Sequence, residues 1–482
     1  MQESTGVQRL LRGARLCSGP LAAALWFALG ASAMAHDARV VLGLAIWMAL
    51  WWMTEAVPLA ATALLPLVIL PLFTSIGFGA AAAPYASNIV FLFMGGFMLG
   101  LALQRCGLHR RIALAMLVTV GSGQRRLVGG FMLVTALLSM WLRTTPTMMM
   151  LAPMGISVLQ PRREQRPGAE ADGSEAFGAA LILGIAYAAS IGGMGTPIGT
   201  PPNLIMSGYL RAHYGIDVTM LGWMRVGVPV ILLLLPLAWL WLCFGAFRLP
   251  AAGFAGDEAQ LRAQRARLGA ASAAERRTGA VFLLVALGWV LRPQLVAWFG
   301  LPGLDDGVIA LIGALLLFVL PAQGLEGERL LDWNTARGIP WDILLLFGGG
   351  LSLAAALTAS GADAPIAQWA SGLGSVPVAL IVGVIAVAIV FTGELTSNTA
   401  AATAIMPVLA GLASARGIDP LPLFMVATLA GSCGFMLPVA TPPNAIAYGT
   451  GFVPLRAMLR AGFGLNLIAV AVVVGFVWFV AF

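Results

Sequence analysis

Hydrophobic residues fill most of this chain in long runs, and the polar positions gather at a few places instead of repeating along helix faces. Runs begin near Leu21, Val40, Ala60, Ile89, Val128, Phe177, Val226, Val281, Val308, Ile343, Val378, Leu421 and Leu465, with Gly, Pro or Arg clusters between them. Uninterrupted apolar runs predict helices surrounded by lipid, not amphipathic helices around an aqueous core. Of 482 residues, 60% are hydrophobic and 10% charged, more apolar surface than a water-soluble fold can hide. The pattern predicts an all-α polytopic membrane protein of about 11 spans.

The polar clusters occur twice. Trp141-Leu142-Arg143-Thr144-Thr145-Pro146 through Pro153 lines up without a gap on Leu395-Thr396-Ser397-Asn398-Thr399-Ala400 through Pro407, 254 positions on. The same offset pairs Phe93-Met94-Gly95-Gly96 with Phe347-Gly348-Gly349-Gly350, and Gly107 with Gly361. A second element, Gly199-Thr200-Pro201-Pro202-Asn203, returns as Ala440-Thr441-Pro442-Pro443-Asn444 at an offset of 241. The 13 missing residues match the surplus polar stretch Pro161 to Gly173. Polar, helix-breaking sequence at matching places in two membrane halves points to a transporter binding site at the bilayer midplane.

Arginine placement sets orientation. The first motif is flanked by Arg125-Arg126 and by Arg162, Arg163 and Arg166, whereas the second has only Arg416, beside Asp419. By the positive-inside rule the first segment has both ends in the cytoplasm and the second has both outside, so the halves are inverted and the N-terminus, with Arg9, Arg12 and Arg15, is cytoplasmic. The runs Leu127 to Leu142 and Pro146 to Leu159 reach only about 24 and 21 Å, short of a core of roughly 30 Å, which predicts a re-entrant hairpin. The expected division is 1–86, N-terminal scaffold helices; 87–250, a first repeat with a hairpin near 127–159 and a broken helix near 177–222; 251–278, a cytoplasmic connector; 279–340, further scaffold; and 341–482, a second repeat with a hairpin near 376–413 and a broken helix near 421–450.

The motifs supply hydroxyls and carboxamides, with no carboxylate inside either one. Thr145, Thr147, Thr200, Asn203, Ser397, Asn398, Thr399, Thr441 and Asn444 offer donors to an oxyanion and oxygens to a hard cation. Broken helices add amide nitrogens for an anion and bare carbonyls for sodium. This favours a small anion over a sugar or an amine. Four cysteines and three histidines are scattered without metal or redox spacing, so no zinc site and no structural disulfide are expected. The basic residues are all arginine and mark topology, not nucleic acid. No nucleophile with a matching base is embedded, which argues against an enzyme.

The ordered set Trp51-Trp52-Met53-Thr54-Glu55-Ala56-Val57-Pro58, Leu92-Phe93-Met94-Gly95-Gly96-Phe97, the two Thr-Pro-Pro-Asn runs, Trp341 to Gly350 and Glu394 to Thr399 resembles the divalent anion to sodium symporter family, carriers of dicarboxylates, tricarboxylates and related oxyanions. The resemblance covers nearly the whole chain. It implies a homodimer, each protomer an inverted-repeat transporter with two re-entrant helical hairpins, two broken helices and an elevator motion, and the arginine-only, alanine-rich and glycine-rich composition suits a bacterial inner membrane. The resemblance implies a substrate site from Thr144, Thr145, Thr200, Pro201, Asn398, Thr399, Thr441 and Pro442, with Arg143 among them by its own chemistry. It also implies a sodium site from Ser397, Asn398 and Ala440, with Ser139 and Gly199 left for a first-half sodium site.

The first half departs from the family pattern, having Arg143-Thr144-Thr145 where Ser-Asn-Thr is expected. A fixed guanidinium repels sodium, so Arg143 is expected either to hold a substrate carboxylate with its own donors or to pair with Glu394 or Glu55. The function expected is transport of succinate-, malate- or citrate-class anions coupled to sodium. The alternatives are a sodium-independent carboxylate exchanger, a sulfate or other oxyanion carrier, and, in another class, a channel.

Overall fold

The computed structural model describes residues 3–29, 34–120, 123–165, 171–250, 257–322, 329–362, 376–395 and 398–481. The described residues are helical almost throughout, with a single isolated bridge, Pro321 to Arg329, among them. Six helices are long and apolar enough to cross a membrane: His36–Thr54, Phe78–Arg105, Glu175–Gly193, Met220–Ala246, Trp341–Ser360 and Leu455–Val480. The pair Ala273–Val290 and Arg292–Phe299 bends by 77° and makes a seventh if taken as one span. The remaining apolar helices are shorter.

Among the short ones the matched clusters recur as matched geometry. Gln124–Ser139 and Val378–Gly393 are 16 residues each, and their starts and ends are both 254 positions apart. Five positions after each end a second arm begins, at Thr144 or Asn398, again 254 apart. Sixteen residues reach about 24 Å, too short for a hydrocarbon core. The broken helices run Ala171–Gly193 then Pro201–Tyr214, and Pro420–Ala430 then Pro442–Gly449. In both, the proline pair fills the first helical positions behind an extended threonine, where a missing N–H costs nothing. The first stops at Tyr214, short of the expected 222, because Gly215 takes a left-handed conformation (φ 67°) and Thr219 caps a new helix.

Helices from opposite halves cross where side chains are smallest. A Cβ on Gly95 would lie 2.7 Å from the Ala310 backbone, and one on Gly349 would strike the Ala63 carbonyl. The rings of Phe93 and Phe347, themselves 254 positions apart, touch at 5.7 Å. The glycine runs are therefore packing devices that let backbones approach.

The connector helix, Asp257–Arg267, is shorter than the polar sequence around it. Glu275, Arg276 and Arg277 belong instead to the next helix, because Ser272 and Glu275 form a reciprocal capping box that starts it at Ala273. Arg111 holds the connector down, donating to Glu275 at 2.9 Å and to the carbonyls of Leu268, Gly269 and Ala270. Asp305 caps Asp306–Val319, and Asp306 beside it is buried. Asp306 accepts from the Met220 amide at 2.8 Å and pairs with Arg292 at 3.2 Å.

Candidate functional site

Each broken helix is held open by its own asparagine. The Asn203 carboxamide nitrogen donates to the carbonyls of Gly193 (3.2 Å) and Thr196 (2.7 Å), and Asn444 donates to those of Gly434 (3.0 Å) and Leu437 (3.1 Å). The acceptors lie 241 positions apart, as the asparagines do, so the two breaks are built alike. Both side chains are fully buried, with their carboxamide nitrogens turned to these carbonyls. Their task is to satisfy carbonyls that the missing helical turn leaves bare.

The first tip meets the first break at Gly193. A Cβ there would strike the Thr200 methyl and come within 3.1 Å of the Gly199 carbonyl and 3.3 Å of the Thr144 methyl. Three of the sequence-predicted residues thus converge on one point. Thr144 and Thr145 are half-buried, and their hydroxyls make no hydrogen bond among the described residues. Thr147 does not join them: it is fully buried and its hydroxyl donates to the Arg143 carbonyl at 3.0 Å. Ser139 is also fully buried and donates to the Ala189 carbonyl at 2.6 Å. The Thr200 hydroxyl lies 3.3 Å from that of Ser432 in the opposite break, so the two breaks touch.

In the second half Ala440 is buried, Thr441 caps Pro442–Gly449 by accepting from the Asn444 amide at 3.3 Å, and Pro442 is exposed. Thr399 is half-buried at the start of the second arm. Ser397 lies outside the described residues, and Asn398 is placed as the first residue of that arm.

The sequence offered Glu394 as a partner for Arg143, but its bonds run to the second break instead. Its carboxylate accepts from the amides of Phe435 (2.7 Å), Met436 (2.9 Å) and Leu437 (2.9 Å) and from the Asn466 carboxamide (2.7 Å). One buried carboxylate therefore ties the second hairpin to the second break. The signal was available, since a lone acid beside a hairpin tip needs donors, and the proline-broken segment 41 residues on has amides to spare.

This engagement settles one expectation: Arg143 does not pair with Glu394. Glu55 is exposed in a left-handed turn (φ 46°) and does not pair with it either. The Arg143 guanidinium lies 5.9 Å from the centre of the Phe97 ring and makes no ion pair or hydrogen bond among the described residues. Asp342 acts on it only through space.

Short paired arms and two proline-broken helices in touch with each other are the construction of a secondary transporter. Residues 21–481 match the sodium:sulfate symporter transmembrane region, and the chain belongs to that family. It is 39% identical over 442 residues to the sodium-dependent dicarboxylate transporter SdcS of Staphylococcus saprophyticus, covering 91% of this chain and 85% of that one. It is 38% identical over 443 residues to SdcS of Staphylococcus aureus strain USA300, with the same coverage. The fold is also that of the Alcanivorax borkumensis YdaH transporter, with a TM-score of 0.57 at 16% identity, over 92% of this chain and 98% of the other.

Proposed function

We infer that this chain is a membrane transporter that carries small dicarboxylates coupled to sodium. The observation that carries this reading is the convergence of Thr144, Gly199 and Thr200 on Gly193, with the guanidinium of Arg143, the residue before Thr144, making no ion pair among the described residues. The relatives named as sodium-dependent dicarboxylate transporters support the same substrate class. The family name, sodium:sulfate symporter, keeps a sulfate or other oxyanion as the alternative cargo.

The mechanism follows from two matched halves. The hairpins enter from opposite faces as inverted repeats, and the unit built from tips and breaks moves as an elevator against the scaffold of a homodimer. Substrate carboxylates are held by Thr144, Thr145 and Thr200 on one side and by Asn398, Thr399 and Thr441 on the other, with Pro201 and Pro442 leaving the helix starts open to them. Sodium is taken up at Ser397, Asn398 and the Ala440 carbonyl. In the first half, where Ser139 and Gly199 remain, Arg143 stands in for the second cation.

An arginine at membrane depth costs about 2.5–3.5 kcal/mol on insertion scales unless water or a partner compensates it. Since neither Glu394 nor Glu55 does so, a substrate carboxylate is the natural partner, held by the guanidinium fork. A fixed charge also differs from an ion that leaves. The empty unit keeps an uncompensated cation, which favours return in the loaded state and hence exchange over net uptake.

Uptake of radiolabelled succinate into proteoliposomes tests this, with and without an inward sodium gradient and with and without unlabelled succinate inside. Sodium-dependent uptake is expected in the intact chain. Arg143→Ser is expected to weaken succinate binding and lessen stimulation by internal substrate. Unchanged sodium dependence together with unchanged exchange preference in that variant would remove Arg143 from the mechanism.

A further inference from the structure

The repeated residues divide into two sets. In the helices Phe78–Arg105 and Trp341–Ser360, which open the two repeats and stand with the scaffold against the hairpins and breaks, the pairs match: Gly95 meets Ala310 as Gly349 meets Ala63, and Phe93 touches Phe347. Between the scaffold and the hairpin-and-break unit they do not.

Ile198, in the first break, is 5% exposed and sits on Gly96, where a Cβ would lie 3.2 Å from its methyl. Its counterpart Val439 is 75% exposed, and Gly350, the counterpart of Gly96, lines an apolar crevice with Ile205, Phe347 and Pro407. Gly208 presses on Leu351, a Cβ there falling 2.6 Å from that side chain, whereas its counterpart Gly449 has open space around it. The residue matching Leu351 is Phe97. At the hairpins, Trp141 stacks on Trp289 at 6.2 Å and meets Phe282 edge-on at 5.0 Å, while Leu395, the matching residue, is 76% exposed. Each mismatch has the same sense: the first-half residue is seated and the second-half residue is not.

A unit with internal two-fold likeness, packed on a scaffold with the same likeness, has two equivalent ways to dock, and filling one vacates the other. We propose that Val439 and Gly449 are the docking residues of the opposite transport state: Val439 seats on Gly350 and Gly449 closes on Phe97, as Ile198 leaves Gly96 and Gly208 leaves Leu351. This rests on the alternating-access reading above. It assigns the present structure to the state in which the second tip faces its pathway and the first is shut. It also gives the apolar crevice beside Gly350 an occupant, a β-branched side chain of the size that a glycine admits on the other half. Val439 is one methylene smaller than Ile198, so the second dock offers less contact than the first.

Cysteine cross-linking tests the docking directly. On a background where Cys17, Cys106, Cys243 and Cys433 are replaced and uptake is retained, the pairs Gly96→Cys with Ile198→Cys and Gly350→Cys with Val439→Cys are each treated in membranes with a short bifunctional thiol reagent. Both pairs are expected to link, each link lowering succinate uptake about tenfold or more, with full recovery when a cleavable reagent is reduced. A Gly350/Val439 pair that stays unlinked where the Gly96/Ile198 pair links overturns the proposal, as does a link that leaves uptake intact. Linking needs no substrate. Linking of both pairs in a chain that carries no dicarboxylate would therefore uphold the docking and overturn the substrate reading instead.

Val439→Trp gives a second measure, because the side chain is exposed here and too large to seat on a glycine. Sodium-dependent succinate binding and thermal stability are expected to persist while uptake falls about tenfold. Unchanged uptake in that variant overturns the proposal.

Discussion

The two segments that link the hairpin arms, 140–143 and 394–397, hold matching places in the sequence, and their charged residues are used in opposite ways. In the second half the segment opens with Glu394, and its carboxylate is consumed by three backbone amides and Asn466. In the first half the matching residue is Met140, whose carbonyl accepts from the Thr196 hydroxyl, a neutral bond in the same place. The first segment instead closes with Arg143, at the position of Ser397, and that charge meets no partner among the described residues. A charge saturated by its own fold acts as a fastener, and a charge left open can bind cargo. Sequence alone shows two charges in a membrane. Only the partners separate the roles.

The largest effect is expected from Glu394→Ala. It strands three amides and a carboxamide in a buried setting, each charged hydrogen bond being worth about 1.5–3 kcal/mol. Succinate uptake is expected to disappear and the melting temperature to fall sharply. The matching change in the first half, Thr196→Val, removes one neutral bond worth roughly 1 kcal/mol and should leave measurable uptake. If both variants lose uptake equally, the contrast between the two segments has no energetic content.

Asn203→Ala and Asn444→Ala come next. Each leaves carbonyls of the break unsatisfied, at about 1–3 kcal/mol per buried group, and the two should be alike because their acceptors are alike. Melting curves in detergent read this directly. A large loss from one and none from the other would show that the breaks are not equivalent in energy.

Gly199→Ala should cost less, roughly 1–3 kcal/mol of overpacking, because its Cβ strikes the Gly193 carbonyl. The second half already carries Ala440 at that place, so Ala440→Gly is expected to be nearly silent. Uptake measured for both variants gives the asymmetry of the two breaks in one comparison.

How much of this was legible beforehand depended on range. The offsets of 254 and 241 read in the sequence recur in the helix starts, because a duplicated segment repeats its helix starts along with its sequence. Lone polar residues were harder. Asn203, Asn444 and Thr147 have the chemistry of substrate ligands and the burial of structural fasteners, and no spacing distinguishes the two. Glu394 was invisible as a fastener because its acceptor role depends on amides 41 positions away. The buried Asp306 is held over a similar range, by the Met220 amide 86 positions before it.

The smallest effect is expected at the contact between the halves, where the Thr200 and Ser432 hydroxyls lie 3.3 Å apart. A bond that long between neutral groups is worth less than about 1 kcal/mol and is readily exchanged for a better acceptor. Thr200 is 6% exposed and stands beside the first tip, so a carboxylate arriving at Thr144 could take the hydroxyl from Ser432. Thr200→Val should then raise the KM for succinate about threefold with kcat and melting temperature nearly unchanged, the mark of binding lost equally in ground and transition states. Ser432→Ala, which removes only the resting partner, should leave KM unchanged or slightly lower. If Thr200→Val leaves KM where it was, the threonine serves the seam between the breaks alone, and the substrate is held by the tips.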